Sequence, residues 1–96
     1  MSKSLKNYIL VAEIDSRRVL SIEEGPHERS LLAKQRRALD ETVALHVSKL
    51  RELFPPVKYD IIPTRAADVT HLKSGYPELS GWDGAVREEL TVPWVS

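Results

Sequence analysis

Three histidines, no cysteine and two tryptophans bound the chemistry this 96-residue chain can hold. His46 lies among Val43, Leu50 and Leu53 at helical spacing. An imidazole there would serve as a catalytic base or as a pH-sensitive contact. Local spacing brings it no acid, nucleophile or second ligand, so a histidine at the edge of a core accounts for it better. Asp68 and His71 stand three apart and would share a helix face. With His27 brought in by the fold they would supply three ligands, the fewest a zinc site uses. A capping or surface pair is the simpler account of so common a spacing. The absence of cysteine excludes disulfides and thiolate ligands and is compatible with a reducing cytoplasm. No Gly-rich phosphate loop, paired-carboxylate motif, His-x-x-x-His or nucleophile elbow occurs. No catalytic, cofactor or metal residues are therefore assigned. A small enzyme built on His46 or His71 stands only as the third reading.

Two groups of residues suit binding. Arg29, Lys34, Arg36 and Arg37, joined by Arg17 and Arg18, would meet phosphates if a dimer presented them together. Asp40 and Glu41 follow one turn later and neutralise the cluster, and no aromatic is interleaved to stack on bases. A solvated, salt-bridged face explains these arginines better. Trp82 and Trp94 lie in a turn-rich stretch, 74–96, that carries one basic and four acidic side chains. They either wrap back to complete a core or anchor a partner, as tryptophan does at interface hot spots.

The elements that must position these groups centre on one helix. Gly25-Pro26 reads as its start, because proline suits the first helical position, with Ser30 as a rival cap. From Leu31 to Phe54 there is no Gly or Pro, and Pro55-Pro56 ends the run. Leu32, Leu39, Val43, Leu50 and Leu53 form an apolar stripe, widened by Val47 and Phe54 and flanked by Leu31, Ala38 and Leu45. Arg36–Asp40 and Arg37–Glu41 have the spacing of surface ion pairs. A helix of roughly 25 residues would span about 38 Å, against a body of about 32 Å. Such a helix either bends, with no Gly or Pro to explain a bend, or projects, and a projecting apolar end argues for a dimer or a docking surface.

Before the helix, Tyr8–Asp15 alternates, with Tyr8, Leu10, Ala12 and Ile14 on one face, and Val19–Glu24 follows after a short polar link. The pair predicts a β-hairpin with Ile14 opposite Leu20 and Ala12 opposite Ile22, its apolar face on the helix stripe. Val57–Ile62, closed by Pro63, predicts a third strand of open direction. Thr64 would cap a short helix from Arg65 to Leu72, and Asp83 another turn or two through Leu90.

The sequence thus predicts one α+β domain over 1–96: a two-layer ββαβ unit in which a hairpin and third strand pack on a long helix. A short second helix follows, with a folded core over 8–73 and an irregular acidic tail over 74–96. The 42% hydrophobic fraction is that of a globular chain. The apolar run Ile9–Ala12 is too short for a signal peptide or membrane span. Charges balance at 14 basic and 14 acidic, which disfavours nucleic acid as the main partner. The reading is a non-enzymatic cytoplasmic module, an adaptor, inhibitor or antitoxin- or phage-type regulator, that binds another protein and forms a homodimer. Val43, His46, Leu50, Leu53, Trp82 and Trp94 are its contact residues. The alternative is a dimeric nucleic-acid-binding regulator using Arg17, Arg18, Arg29, Arg36 and Arg37.

Overall fold

The computed structural model describes residues 4–92 and 94. The order is β1 (Lys6–Glu13), β2 (Val19–His27), α1 (Ala33–Leu53), β3 (Tyr59–Ala66), α2 (Val69–Gly75) and β4 (Val86–Glu89). Single 3-10 turns lie at Glu28–Ser30 and Trp82–Gly84. The sheet runs β3-β1-β2-β4. β1 is antiparallel to both of its neighbours, and β4 runs parallel to β2. The α+β class and the ββαβ order are as the sequence predicts. β3 returns antiparallel beside β1.

β1 organises the molecule because it is apolar on both faces. Tyr8, Ile9, Leu10, Val11 and Ala12 are all buried. Ile9 and Val11 pack with Leu39, Val47, Ile61, Leu90 and Val92, under α1. Tyr8 and Leu10 pack on the other side with Val19, Ile22, Ala66 and Leu72, covered by α2, Leu79 and Trp82. The face against the long helix is therefore that of Ile9 and Val11, not the expected Tyr8, Leu10 and Ala12. A strand buried on both sides reads as a continuous apolar run, and alternation then cannot say which side meets the helix. Ile14, expected in that face, is exposed.

Two bulges shift the hairpin register. Leu10 pairs Ile22 and Ala12 pairs Val19, with an irregularity between Val11 and Ala12, so the predicted pairs Ala12–Ile22 and Ile14–Leu20 do not form. The second irregularity lies between Lys6, opposite His27, and Tyr8, opposite Glu24. Asn7 there faces two residues, Gly25 and Pro26, as in a bulge. Gly25-Pro26 is thus the bulged end of β2 and not a helix start. A Cβ on Gly25 would lie 3.3 Å from the Asn7 carbonyl oxygen, and proline is tolerated at a bulge because no ladder bond is asked of it. Pro63 likewise sits inside β3, opposite Ile9, on an edge strand where its missing N–H costs no pairing.

α1 begins at Ala33, later than expected. Its first turn is capped in part by Gln35, whose side chain accepts from the Leu32 N–H at 2.9 Å. The Ser30 hydroxyl instead donates to the His27 carbonyl at 2.8 Å. The inward line is Leu39, Val43, Val47, Leu50 and Phe54, at spacings of three and four. Phe54 meets Tyr59 edge-on with ring centroids 5.2 Å apart. Leu32 and Leu53, predicted on the same stripe, are exposed, as is Leu45. At 21 residues the helix spans about 32 Å, within a body of 39 × 33 × 17 Å. It does not project, so its length gives no ground for self-association.

α2 starts four residues later than predicted. Asp68 and not Thr64 is its cap, accepting from the His71 N–H at 2.9 Å. Thr64 and Arg65 belong to β3. The helical turns predicted from Asp83 to Leu90 are replaced by a 3-10 turn and by β4.

Candidate functional site

The two most exposed of the large apolar side chains among the described residues lie where α1 hands over to β3, while Leu32, Leu45 and Val86 are exposed elsewhere. Leu53 in the last turn of the helix is 74% exposed and Val57 beyond it is 79% exposed. Pro55 and Pro56 between them are exposed as well. The Ile14 N–H donates to the Lys58 carbonyl at 2.9 Å, which ties the end of β1 to this turn, while Ile14 itself lines a cleft with Ala12, Ile62 and Leu79. The geometry follows from the sequence locally. The Pro55-Pro56 pair stops the helix, the Lys58 and Tyr59 N–H groups close a turn on the Pro55 carbonyl, and Val57 is held outward at its tip. Around the corner stand Lys49, Arg51 and Lys58 with Asp15, Glu52 and Asp60, all exposed. An apolar centre with a rim of both signs is the make-up of a contact surface.

Of the six residues predicted to touch a partner, only Leu53 lies in this corner. Val43, Leu50 and Trp94 pack on the α1-side core, and Trp82 packs on the other, its indole N–H donating to the Leu79 carbonyl at 3.1 Å. His46 reaches from α1 to β2, with Nε2 2.5 Å from a Glu23 carboxylate oxygen. That pair ties helix to sheet. His71 bonds Asp68 through Nδ1 at 2.7 Å, on the opposite side of the sheet from His46. Among the described residues, no group of three His, Asp or Glu side chains converges on a point where a metal ion would sit.

The arginines do not form one surface. Arg17 and Arg18 lie in the loop before β2, while Arg29 follows β2 and Arg36 and Arg37 begin α1. The nine residues of β2 put about 30 Å between the two groups. Arg18 lies over Gly81, with its Cγ 2.6 Å from where a Cβ on that glycine would stand. Asp40, predicted to pair with Arg36, sits 3.7 Å from Arg65, which also holds Glu28 at 3.0 Å.

A second polar group, which the sequence reading missed, crosses the far end of the sheet. Glu24 on β2 is held by Lys6 from β1 and by Arg87 from β4 at 2.8 Å. Burial pushes its carboxyl up, but the hydrogen bonds from Lys6 and Arg87 outweigh that and hold it below the usual carboxylate range. Tyr8 beside it is pushed up to about 12, by burial first and then by the Glu24 charge. Lys6 and Tyr8 on β1, Glu24 on β2 and Arg87 on β4 come from three strands far apart in the chain, so only the strand register unites them.

Among the described residues, no helix is long and apolar enough to cross a membrane. Comparison of the chain with protein-family models, with curated proteins and with solved structures finds no match.

Proposed function

We propose that the protein is a non-enzymatic interaction module that binds another protein through the corner formed by Leu53 and Val57, and that a second copy of the chain is its first partner. The observation that carries this reading is that Leu53 and Val57, the two most exposed of the large apolar side chains among the described residues, stand four residues apart on one turn. The rim supports a second copy in particular. In a two-fold contact a patch meets itself, so its charges must complement themselves. Three basic and three acidic side chains around the corner meet that condition. Regulation or inhibition of a further protein by the dimer, in a reducing cytoplasm suited to a cysteine-free chain, completes the proposal.

The lack of native cysteine supplies the test. A single Val57→Cys substitution, oxidised in dilute solution, is expected to give a disulfide-linked dimer. Leu32→Cys, equally exposed but at the other end of α1, is expected to stay monomeric. Equal cross-linking of the two, or none at Val57, would contradict the assignment of the corner.

A further inference from the structure

Beside the Leu53–Val57 corner, the end of β1 and the start of β3 hold a cleft of about 190 Å³. Ala12, Ile14, Ile62 and Leu79 give it an apolar lining. Its side of the sheet follows from the register. Ala12 stands opposite Asp60, and Leu10 opposite Ile62, so all four side chains share one face. Leu10, Ile62 and Leu79 belong to the core on the α2 side. The cleft therefore lies on the side of the sheet away from α1. Leu53 belongs to α1, on the opposite side. Val57 lies between them, in the turn that joins α1 to β3 and that the Ile14–Lys58 hydrogen bond fastens to β1. Across this end of the molecule the order is Leu53, Val57, cleft.

That order suits a two-fold contact. Such a contact is self-complementary, so a feature on one side of the axis meets whatever lies equally far on the other side. With Val57 at the axis, the two Val57 side chains meet, and each Leu53 faces the cleft of the other copy. The chemistry matches on both counts. The lining offers an aliphatic side chain an apolar seat. Asp60 and Glu78 stand at the cleft with Arg17, and among the described residues neither carboxylate forms an ion pair. On the helix, Lys49 precedes Leu53 by one turn and shares its face. Lys49 is exposed and, among the described residues, is in no ion pair. A Leu53 seated in the cleft brings the Lys49 of its own chain toward those two carboxylates.

We propose that the cleft of Ala12, Ile14, Ile62 and Leu79 receives Leu53 of a second copy, in two equivalent contacts about an axis at Val57, with Lys49 facing Asp60 and Glu78. This rests on the self-association proposed above and specifies how the copies meet. The two Leu53 side chains then lie apart, one on each side of the axis.

Cysteine cross-linking of the full chain tests this. Leu53→Cys and Ile14→Cys chains, one of them enriched in 15N so that mass identifies each product, are mixed and oxidised in dilute solution. The mixed product is expected to exceed both self-linked products. Self-linking of Leu53→Cys in preference, or equal yields of all three, would overturn the proposed seating while Val57→Cys still cross-links. Failure of Val57→Cys as well would remove the dimer itself, and the seating with it. Charge reversal supplies a second reading. Lys49→Glu and Asp60→Lys are each expected to weaken the dimer about threefold to fivefold, the worth of a partly exposed ion pair. The two together are expected to return it to within about twofold of the natural chain, the coupling of residues in contact. Losses that simply multiply in the double variant would contradict the contact.

Discussion

Tyr8 shows how one residue ties the sheet to pH. Its side chain is 1% exposed, and its hydroxyl is pushed up to about 12 by burial and by Glu24. In the unfolded chain a tyrosine ionises near 10. Between these values the unfolded state loses its proton first, so stability is complete below about pH 10 and falls as pH rises toward about 12. Denaturation followed across that window is expected to show a loss of order 2 kcal/mol, and Tyr8→Phe is expected to remove that dependence. An unchanged alkaline slope in Tyr8→Phe would mean that another group is responsible. Two more residues carry local costs. Arg17 sits at φ 56, a left-handed conformation that costs a non-glycine residue about 1–2 kcal/mol. Asn7 is buried with its Nδ2 unpartnered among the described residues, a loss of about 1–3 kcal/mol. Its Oδ1 accepts from Arg65 at 3.3 Å, which fixes the amide with its nitrogen turned away, since that nitrogen and the guanidinium are both donors.

At the scale of elements, the segment after α2 is held by a close approach. Gly81 has φ 72, Ser80 pairs with Arg18 as an isolated bridge, and the Arg18 stem fills the space a side chain on Gly81 would need. Gly81→Ala is therefore expected to destabilise by about 1–2 kcal/mol, read as a lower denaturation midpoint. A neutral outcome would show that Arg18 moves aside freely. The same segment marks the limit of what the sequence can reveal. The body of α1 was legible, because composition and three–four spacing agree over Leu39–Phe54. Its start was not, because Gly-Pro serves equally as a helix beginning and as a strand bulge, and only the Asn7 backbone lying across it decides between them. β4 reads Val-Arg-Glu-Glu and is wholly exposed. No alternation announces it, since it is a strand only because β2 offers an open edge. Helical spacing put Leu53 on the buried stripe, yet it is exposed in the last turn of the helix. Val57 was read as part of a strand, and the exposed corner appeared only once β3 was seen to start at Tyr59.

At the scale of the molecule, a central strand buried on both faces carries a helix on one side and the short helix and tail segment on the other. The tail completes the core: Leu90, Val92 and Trp94 belong to the α1 side, Leu79 and Trp82 to the other. With the tryptophans so engaged and α1 no longer than the body, self-association rests on the Leu53–Val57 corner alone. The measurement that tests this most directly is the mass in solution across micromolar to millimolar protein, for the natural chain and for Leu53→Glu. A rise from 10.9 kDa toward twice that value is expected for the natural chain, and a monomer throughout for Leu53→Glu. A natural chain that stays monomeric at every concentration, or a dimer that Leu53→Glu leaves intact, would contradict it.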